Sequence, residues 1–197
     1  MRLKSMMLAL TLSASVLCLH AQDSTDKKIV FGARAGLNLS MTSVHMDGAS
    51  GGMKAGFHAG ATADFNVANH VWVNTGLFYT TKGHKFEYKK SNQSYTESLS
   101  FLQVPVLASY RIPFSGGELQ LNAGPYIGLG LSGTVSYDDD REDADYFDLY
   151  DKSRFDYGVM GSAGLLFSEH YLVSAGYEYG LGDISNKNIF ITLGYNF

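Results

Sequence analysis

After residue 29, apolar side chains recur at every second position through most of the chain, the period of a β-strand rather than of a helix. The last segment is the plainest case. Ile189, Ile191, Leu193, Tyr195 and Phe197 alternate there with Asn188, Phe190, Thr192, Gly194 and Asn196. The first segment sets Phe31, Ala33, Ala35, Leu37 and Leu39 against Gly32, Arg34, Gly36 and Asn38. Continued along the chain, the alternation predicts eight strands, at 30–40, 54–66, 71–81, 102–111, 118–130, 155–167, 170–179 and 189–197. Each runs 9–13 residues. Globular strands usually run about 5–6 residues, whereas a tilted strand that crosses a bilayer needs about 9–11. The connections alternate too. Residues 67–70, 112–117 and 168–170 make short turns, while 41–53, 83–96 and 131–153 are long and 181–187 intermediate. Short turns at one end and long loops at the other, with an even strand count, are the pattern of an all-β, eight-stranded antiparallel transmembrane β-barrel.

Alternation alone does not say which face meets lipid. The second face decides, because a soluble barrel would carry Lys, Glu and Asp there. It carries Gly32, Gly36, Gly60, Gly76, Gly124, Gly128, Gly164, Gly176 and Gly194 instead, with Asn, Ser and Thr. Small groups fit the crowded interior of a narrow barrel, whereas glycine on an outer face only weakens a strand. Seven charged residues fall in the predicted strands: Arg34, Lys54, Asp64, Arg111, Glu118, Asp156 and Glu178. Lys54 and Glu118 lie at segment ends and the other five fall on the inward face. Arg or Lys facing lipid at the midplane costs about 2–4 kcal/mol, which is a physical reason for that placement. Trp72, Tyr110, Tyr171 and Tyr195 near the short turns, and Tyr79, Phe155, Tyr177 and Tyr179 near the long loops, read as two aromatic girdles, with Trp72 turned inward if alternation is strict. Pro105 lies within a strand and lacks a ladder donor, so a bulge is predicted there.

Charge and the amino terminus add location. A formal net charge of −4 removes nucleic acid as a default partner. Arg2 and Lys4 precede an apolar run from Met6 to Leu19, then His20, Ala21 and Gln22, which reads as a secretory leader cleaved after Ala21. The lone Cys18 excludes a disulfide framework, and bulky Leu17 before it speaks against a lipoprotein site. The expected organisation is a leader at 1–21, a periplasmic segment at 22–29 and a barrel at 30–197, integral to the bacterial outer membrane with both termini periplasmic.

Several short motifs also carry a resemblance. They are Gly36-Leu37-Asn38, the run from Lys54 to Gly60, the run from Gly76 to Gly83, the run from Leu102 to Leu107, Gly124-Pro125-Tyr126, and Gly194-Tyr195-Asn196-Phe197. In order and spacing the chain resembles the eight-stranded outer-membrane barrel domain of Bacteroidota known as PorT-like, over about residues 30–197. Gln103 departs from the Glu that the resemblance expects, so an interior charge usual there is missing. The resemblance implies an assembly signal at Tyr195 and Phe197, read by the barrel-assembly machinery. It also implies outer-membrane lipid around the barrel and a link to type IX secretion components.

Candidate chemistry is sparse. Arg34 with Asp64, and Arg111 with Glu118, read as inward charge pairs that fill the barrel, joined by Glu178 in an interior polar network. Asp138, Asp139, Asp140, Glu142 and Asp143 form an acidic loop, a weak calcium candidate without the spacing of an EF-hand. His45, His58 and His84, with Ser43 and Asp47, could approach the outer rim as a loop-borne hydrolase would require, although His58 fits an inward polar filler better. There is no phosphate-loop, metal-binding His pair or dinucleotide motif, and no cofactor is expected. The leading expectation is a non-enzymatic barrel with a structural, envelope or secretion-associated role. A narrow pore or ligand-binding barrel is the alternative, and a hydrolase the more distant one.

Overall fold

The computed structural model describes residues 29–42, 49–88, 93–137, 144–149, 151, 153–182, 184 and 186–197. The leader, the acidic candidates Asp138, Asp139, Asp140, Glu142 and Asp143, and Ser43, His45 and Asp47 lie outside them.

Eight long strands close on themselves. They are β1 (Ile29–Thr42), β3 (Lys54–Ala68), β4 (Val71–Tyr88), β5 (Gln93–Phe114), β6 (Gly117–Tyr137), β8 (Phe155–Phe167), β9 (Tyr171–Gly180) and β10 (Asn186–Asn196). Each pairs antiparallel with the next, and β1 pairs β10 through Gly32↔Asn196 to Thr42↔Asn186, which seals the sheet. The ladder reaches the last residue, where Phe197 N–H donates to Phe31 O at 2.9 Å. Closure leaves no unpaired edge in the spanning part, as an apolar solvent requires. Short β2 (Ala49–Gly52) and β7 (Ala144–Asp145) add to β4 and β6 at the long-loop end, and helix α1 (Tyr146–Leu149) follows β7. Among the described residues no helix is long and apolar enough to cross a membrane, which says nothing of a β-barrel.

The short turns are tight. Phe114 pairs with Gly117, and Gly116 between them adopts φ 98°, a conformation that glycine enters without a Cβ clash. Outward positions carry Leu37, Leu77, Val106, Leu129, Val159, Ile191 and Leu193, all exposed, so the greasy surface faces outside and the polar one inside.

Two expectations change. The ladder on both sides of Pro105 keeps its register, with Thr75↔Val106 and Phe78↔Gln103 on one side and Pro105↔Tyr126 and Ala108↔Ala123 on the other. The lost donor is absorbed by skipped bridges, and Thr75 Oγ1 donates to Pro105 O at 2.8 Å. Bulges lie instead at Ser100/Phe101, where Leu131 is the extra residue of β6, and between Asn66 and Ala68 of β3. Secondly, β4, β5 and β6 run 18, 22 and 21 residues, so most of the 83–96 connection and the start of the 131–153 connection are strand. Trp72 follows strict alternation and points inward, where the Arg111 guanidinium lies 3.8 Å from its ring centre.

Candidate functional site

The lumen is built in layers by the inward residues of all eight strands. At the short-turn end Asp64 from β3 accepts a hydrogen bond from Arg111 Nη2 at 2.7 Å. Arg34 Nη2 stands 3.9 Å from the same carboxylate oxygen and donates to Asn196 Oδ1 at 2.6 Å, while Arg34 Nη1 donates to Tyr195 O at 3.1 Å. Arg111 Nη1 also approaches Glu118 Oε1 at 3.3 Å, an oxygen that accepts from Gln120 Nε2 at 2.8 Å. The sequence pairing of Arg34 with Asp64 is therefore incomplete. Arg111 is the principal partner of Asp64, because the barrel's curvature brings β5 across to β3 at this level.

The middle layer centres on His58. Asn38 Nδ2 donates to Thr80 Oγ1 at 2.9 Å and to Phe57 O and Thr81 O, so the Asn38 Oδ1 that faces His58 Nδ1 at 2.8 Å is an acceptor. This assigns the imidazole proton to Nδ1 and leaves Nε2 to accept from Thr192 Oγ1 at 2.9 Å. His58 stands deep in the lumen, away from the rim. A Cβ on Gly36 would stand 2.7 Å from His58 Nε2, which explains the glycine opposite.

The third layer was only partly legible in the sequence. Lys82 from β4 binds Glu178 of β9 directly and stands 3.5 Å from Asp156 Oδ2 of β8. The Lys82 and Asp156 side chains have 0% exposure. Gln103 Nε2 donates to Glu178 Oε2 at 2.9 Å and Tyr126 OH to Asp156 Oδ2 at 3.3 Å, while the Lys82 ammonium lies 4.7 Å from the centre of the Tyr126 ring. Gln103 thus contributes a donor to a carboxylate where the resemblance expects a further acid. Lys82 escaped sequence reasoning because it follows the last residue assigned to its strand. Its even spacing with Phe78 and Thr80 was the available signal.

Above this layer an apolar cluster packs inside the mouth. Leu99, Phe101 and Val135 from the inner faces of β5 and β6 pack with Tyr146 and Phe147 of α1 and with Ile184. Gly133 makes room for this group, since a Cβ there would stand 2.7 Å from Tyr146 Cβ. Asp145 Oδ1 accepts from the N–H groups of Phe147 and Asp148 and so caps α1, and Arg154 lies 4.5 Å from the Phe147 ring centre. Below the Lys82 layer, at the level of His58, is a cavity of about 110 Å³, lined among others by Thr62, Asn74, Gln103, Asn122 and Met160. Among the described residues no group of three His, Cys, Asp or Glu stands ready to hold a metal ion.

The geometry is therefore that of a lipid-facing barrel with a filled core. A family profile described as the outer membrane protein beta-barrel domain matches residues 20–186 of this chain. The chain belongs to that family. It is an outer-membrane β-barrel protein. Curated proteins offer no match to the sequence. Among solved structures, the outer membrane protein OprG from Pseudomonas aeruginosa is similar with a TM-score of 0.51 at 14% identity, over 87% of this chain and 97% of that one. Ail, the attachment invasion locus protein of Yersinia pestis, gives 0.46 at 18% identity over 86% and 99%. Neisserial surface protein A gives 0.46 at 16% identity over 85% and 97%. At such identities the likeness to OprG concerns the fold alone.

Proposed function

We propose that this outer-membrane barrel protein is closed to ions and acts without catalysis, through contacts that its long-loop end makes with the envelope or with partner proteins. The observation that carries this reading is the pair of seals in series, the Lys82–Asp156–Glu178 layer and the apolar cap of Leu99, Phe101, Val135, Tyr146, Phe147 and Ile184. A buried charge cluster whose members bind one another offers a permeating ion no hydration in exchange for the water it must shed. Against a hydrolase stand His58, whose two ring nitrogens both have partners in the lumen, and His84, which is buried as well. Planar-bilayer recording of the purified protein is expected to give no discrete current steps. Regular steps that depend on the Lys82 layer would replace this reading by the narrow-pore alternative.

Orientation, export and assembly belong to the same proposal. Short turns in this class of barrel are periplasmic, which puts both termini there. The leader at residues 1–21 routes the chain to export. Outward Tyr195 and Phe197, at the end of the ladder, act as the signal read by the barrel-assembly machinery. The PorT-like resemblance suggests a link to type IX secretion. A deletion strain scored for secreted cargo tests that link, and unimpaired secretion would remove it.

A further inference from the structure

Four buried oxygens that line the cavity below the Lys82 layer take no hydrogen bond from any described residue. They are Thr62 Oγ1, Asn74 Oδ1, Gln103 Oε1 and Asn122 Oδ1, from the neighbouring strands β3, β4, β5 and β6. Two of them are fixed as acceptors by their own amides. Gln103 is 5% exposed, and its Nε2 donates to Glu178 Oε2 at 2.9 Å, which turns Oε1 free. Asn122 Nδ2 donates to Ser162 Oγ at 3.1 Å and leaves Oδ1 free in the same way. Asn74 pairs with Asp64 in the strand register and so stands at the base of the cavity, whereas Gln103 reaches the Lys82 layer and stands at its roof. An oxygen buried without a donor is costly, so such a set calls for a partner. The surrounding charges are uneven too. Below the cavity Arg34 and Arg111 face Asp64 and Glu118, while above it Lys82 faces Asp156 and Glu178. Three cations against four carboxylates leave one negative charge in excess, and the excess belongs to the roof. His58 between them, protonated at Nδ1 alone, adds no charge.

We propose that this cavity is a binding site for one monovalent inorganic cation. Gln103 Oε1 holds the ion at the roof, and the water that stays with the ion bridges it to the oxygens of Thr62, Asn74 and Asn122. Neutral carbonyl-type oxygens are the groups that replace the hydration shell of such ions in selective pores. One positive charge also cancels the excess left by Asp156 and Glu178 around Lys82. A divalent ion fits less well. Calcium takes about 6–8 oxygens with carboxylates among them, and here Asp64 is engaged by Arg111 and Glu178 by Lys82 and Gln103. An anion would meet acceptors only. A held ion passes no steady current, so this site adds nothing to planar-bilayer conductance, and the recording above and the titration below fail independently.

The test is the urea unfolding equilibrium of the barrel in micelles of a neutral detergent, read by the heat-dependent gel shift. Potassium chloride is exchanged for choline chloride at constant ionic strength, so that screening stays fixed. An ion bound by the folded barrel alone multiplies the folding constant by 1 + [K⁺]/Kd, so above saturation a tenfold rise in potassium should raise that constant about tenfold. That slope counts one ion. Gln103→Lys supplies a tethered ammonium at the roof and should fold equally well in the two salts. The double variant Asn74→Leu, Asn122→Leu removes two oxygens and should move the onset of the response to about tenfold higher potassium. The same slope with sodium or rubidium in place of potassium also supports the proposal. A flat response of the native barrel to all three ions means that the cavity holds water alone and overturns it. So does an undiminished slope in Gln103→Lys, an unmoved onset in the double variant, or a response evoked by calcium chloride and by none of the monovalent salts.

Discussion

Lys82 is one cation serving two carboxylates in a volume from which water is excluded. Removing it leaves Asp156 and Glu178 facing each other without a counter-charge, so Lys82→Met should destabilise the barrel by about 3–5 kcal/mol. The midpoint of the heat-dependent gel shift checks this. The triple variant Lys82→Met, Asp156→Asn, Glu178→Gln should recover most of the loss, since what remains is neutral and able to hydrogen-bond. No recovery would mean that the layer is held by packing against Tyr126 and Phe101 rather than by charge. At the other end of the lumen, the two arginines around Asp64 are unequal. Arg111 is at 2.7 Å, whereas Arg34 is at 3.9 Å and has Asn196 and Tyr195 as further partners. Double-mutant cycles should therefore give a coupling of about 1–3 kcal/mol for Asp64 with Arg111 and a smaller one for Asp64 with Arg34. A larger coupling for Arg34 than for Arg111 would return the pairing to the one that the sequence suggested.

Strand alternation survives along the whole of β5, but its sense inverts where lipid ends. Leu102, Val104, Val106, Ala108 and Tyr110 face outward in the belt, and beyond it Ser98 and Ser100 face outward while Leu99 and Phe101 turn inward. The belt was legible because one rule, apolar toward the solvent of the bilayer, holds over eight segments. The extensions were not, because the same strands obey the opposite rule once their solvent is water, and the stretch then scores as loop. Candidate site residues followed the same division. Arg34, Asp64, Arg111 and Glu178 were recognisable as charges on the inward face of a recognised strand, whereas Lys82 fell just past the inversion. The α1 cap was invisible, since Tyr146 and Phe147 sit beside acids in a segment without periodicity. Inward glycines are the element-scale counterpart of this packing. A Cβ at Gly158 would stand 2.7 Å from Tyr126 Cε1, so Gly158→Val should push Tyr126 off Asp156. The expected loss is about 1–3 kcal/mol, read from the same gel shift, and a neutral result would show slack that the close packing denies.

For the whole molecule, height and closure act together. From Leu102 to Ile112 the outward wall of β5 rises about 26 Å at a tilt of about 40°, close to the apolar band of about 25 Å that barrels of this class present. Everything above that band has left the hydrocarbon, so the apolar cap at the mouth is packed by water outside rather than by lipid, and it forms a separate seal. Two seals in series predict a non-additive response. Opening the mouth with Tyr146→Ala and Phe147→Ala removes aromatic packing worth about 3–5 kcal/mol per ring when fully buried, yet it leaves the Lys82 layer in place. Conductance in planar bilayers should therefore stay at the baseline in the cap variant, and equally in a variant that neutralises the Lys82 layer alone. Only the combination joins the cavity of about 110 Å³ to the water above the mouth, although the short-turn cluster of Arg34, Asp64 and Arg111 still stands below it. Even the combined variant is thus expected to leak rarely and in brief events, and a steady current through the cap variant alone would mean that the inner layer is no barrier.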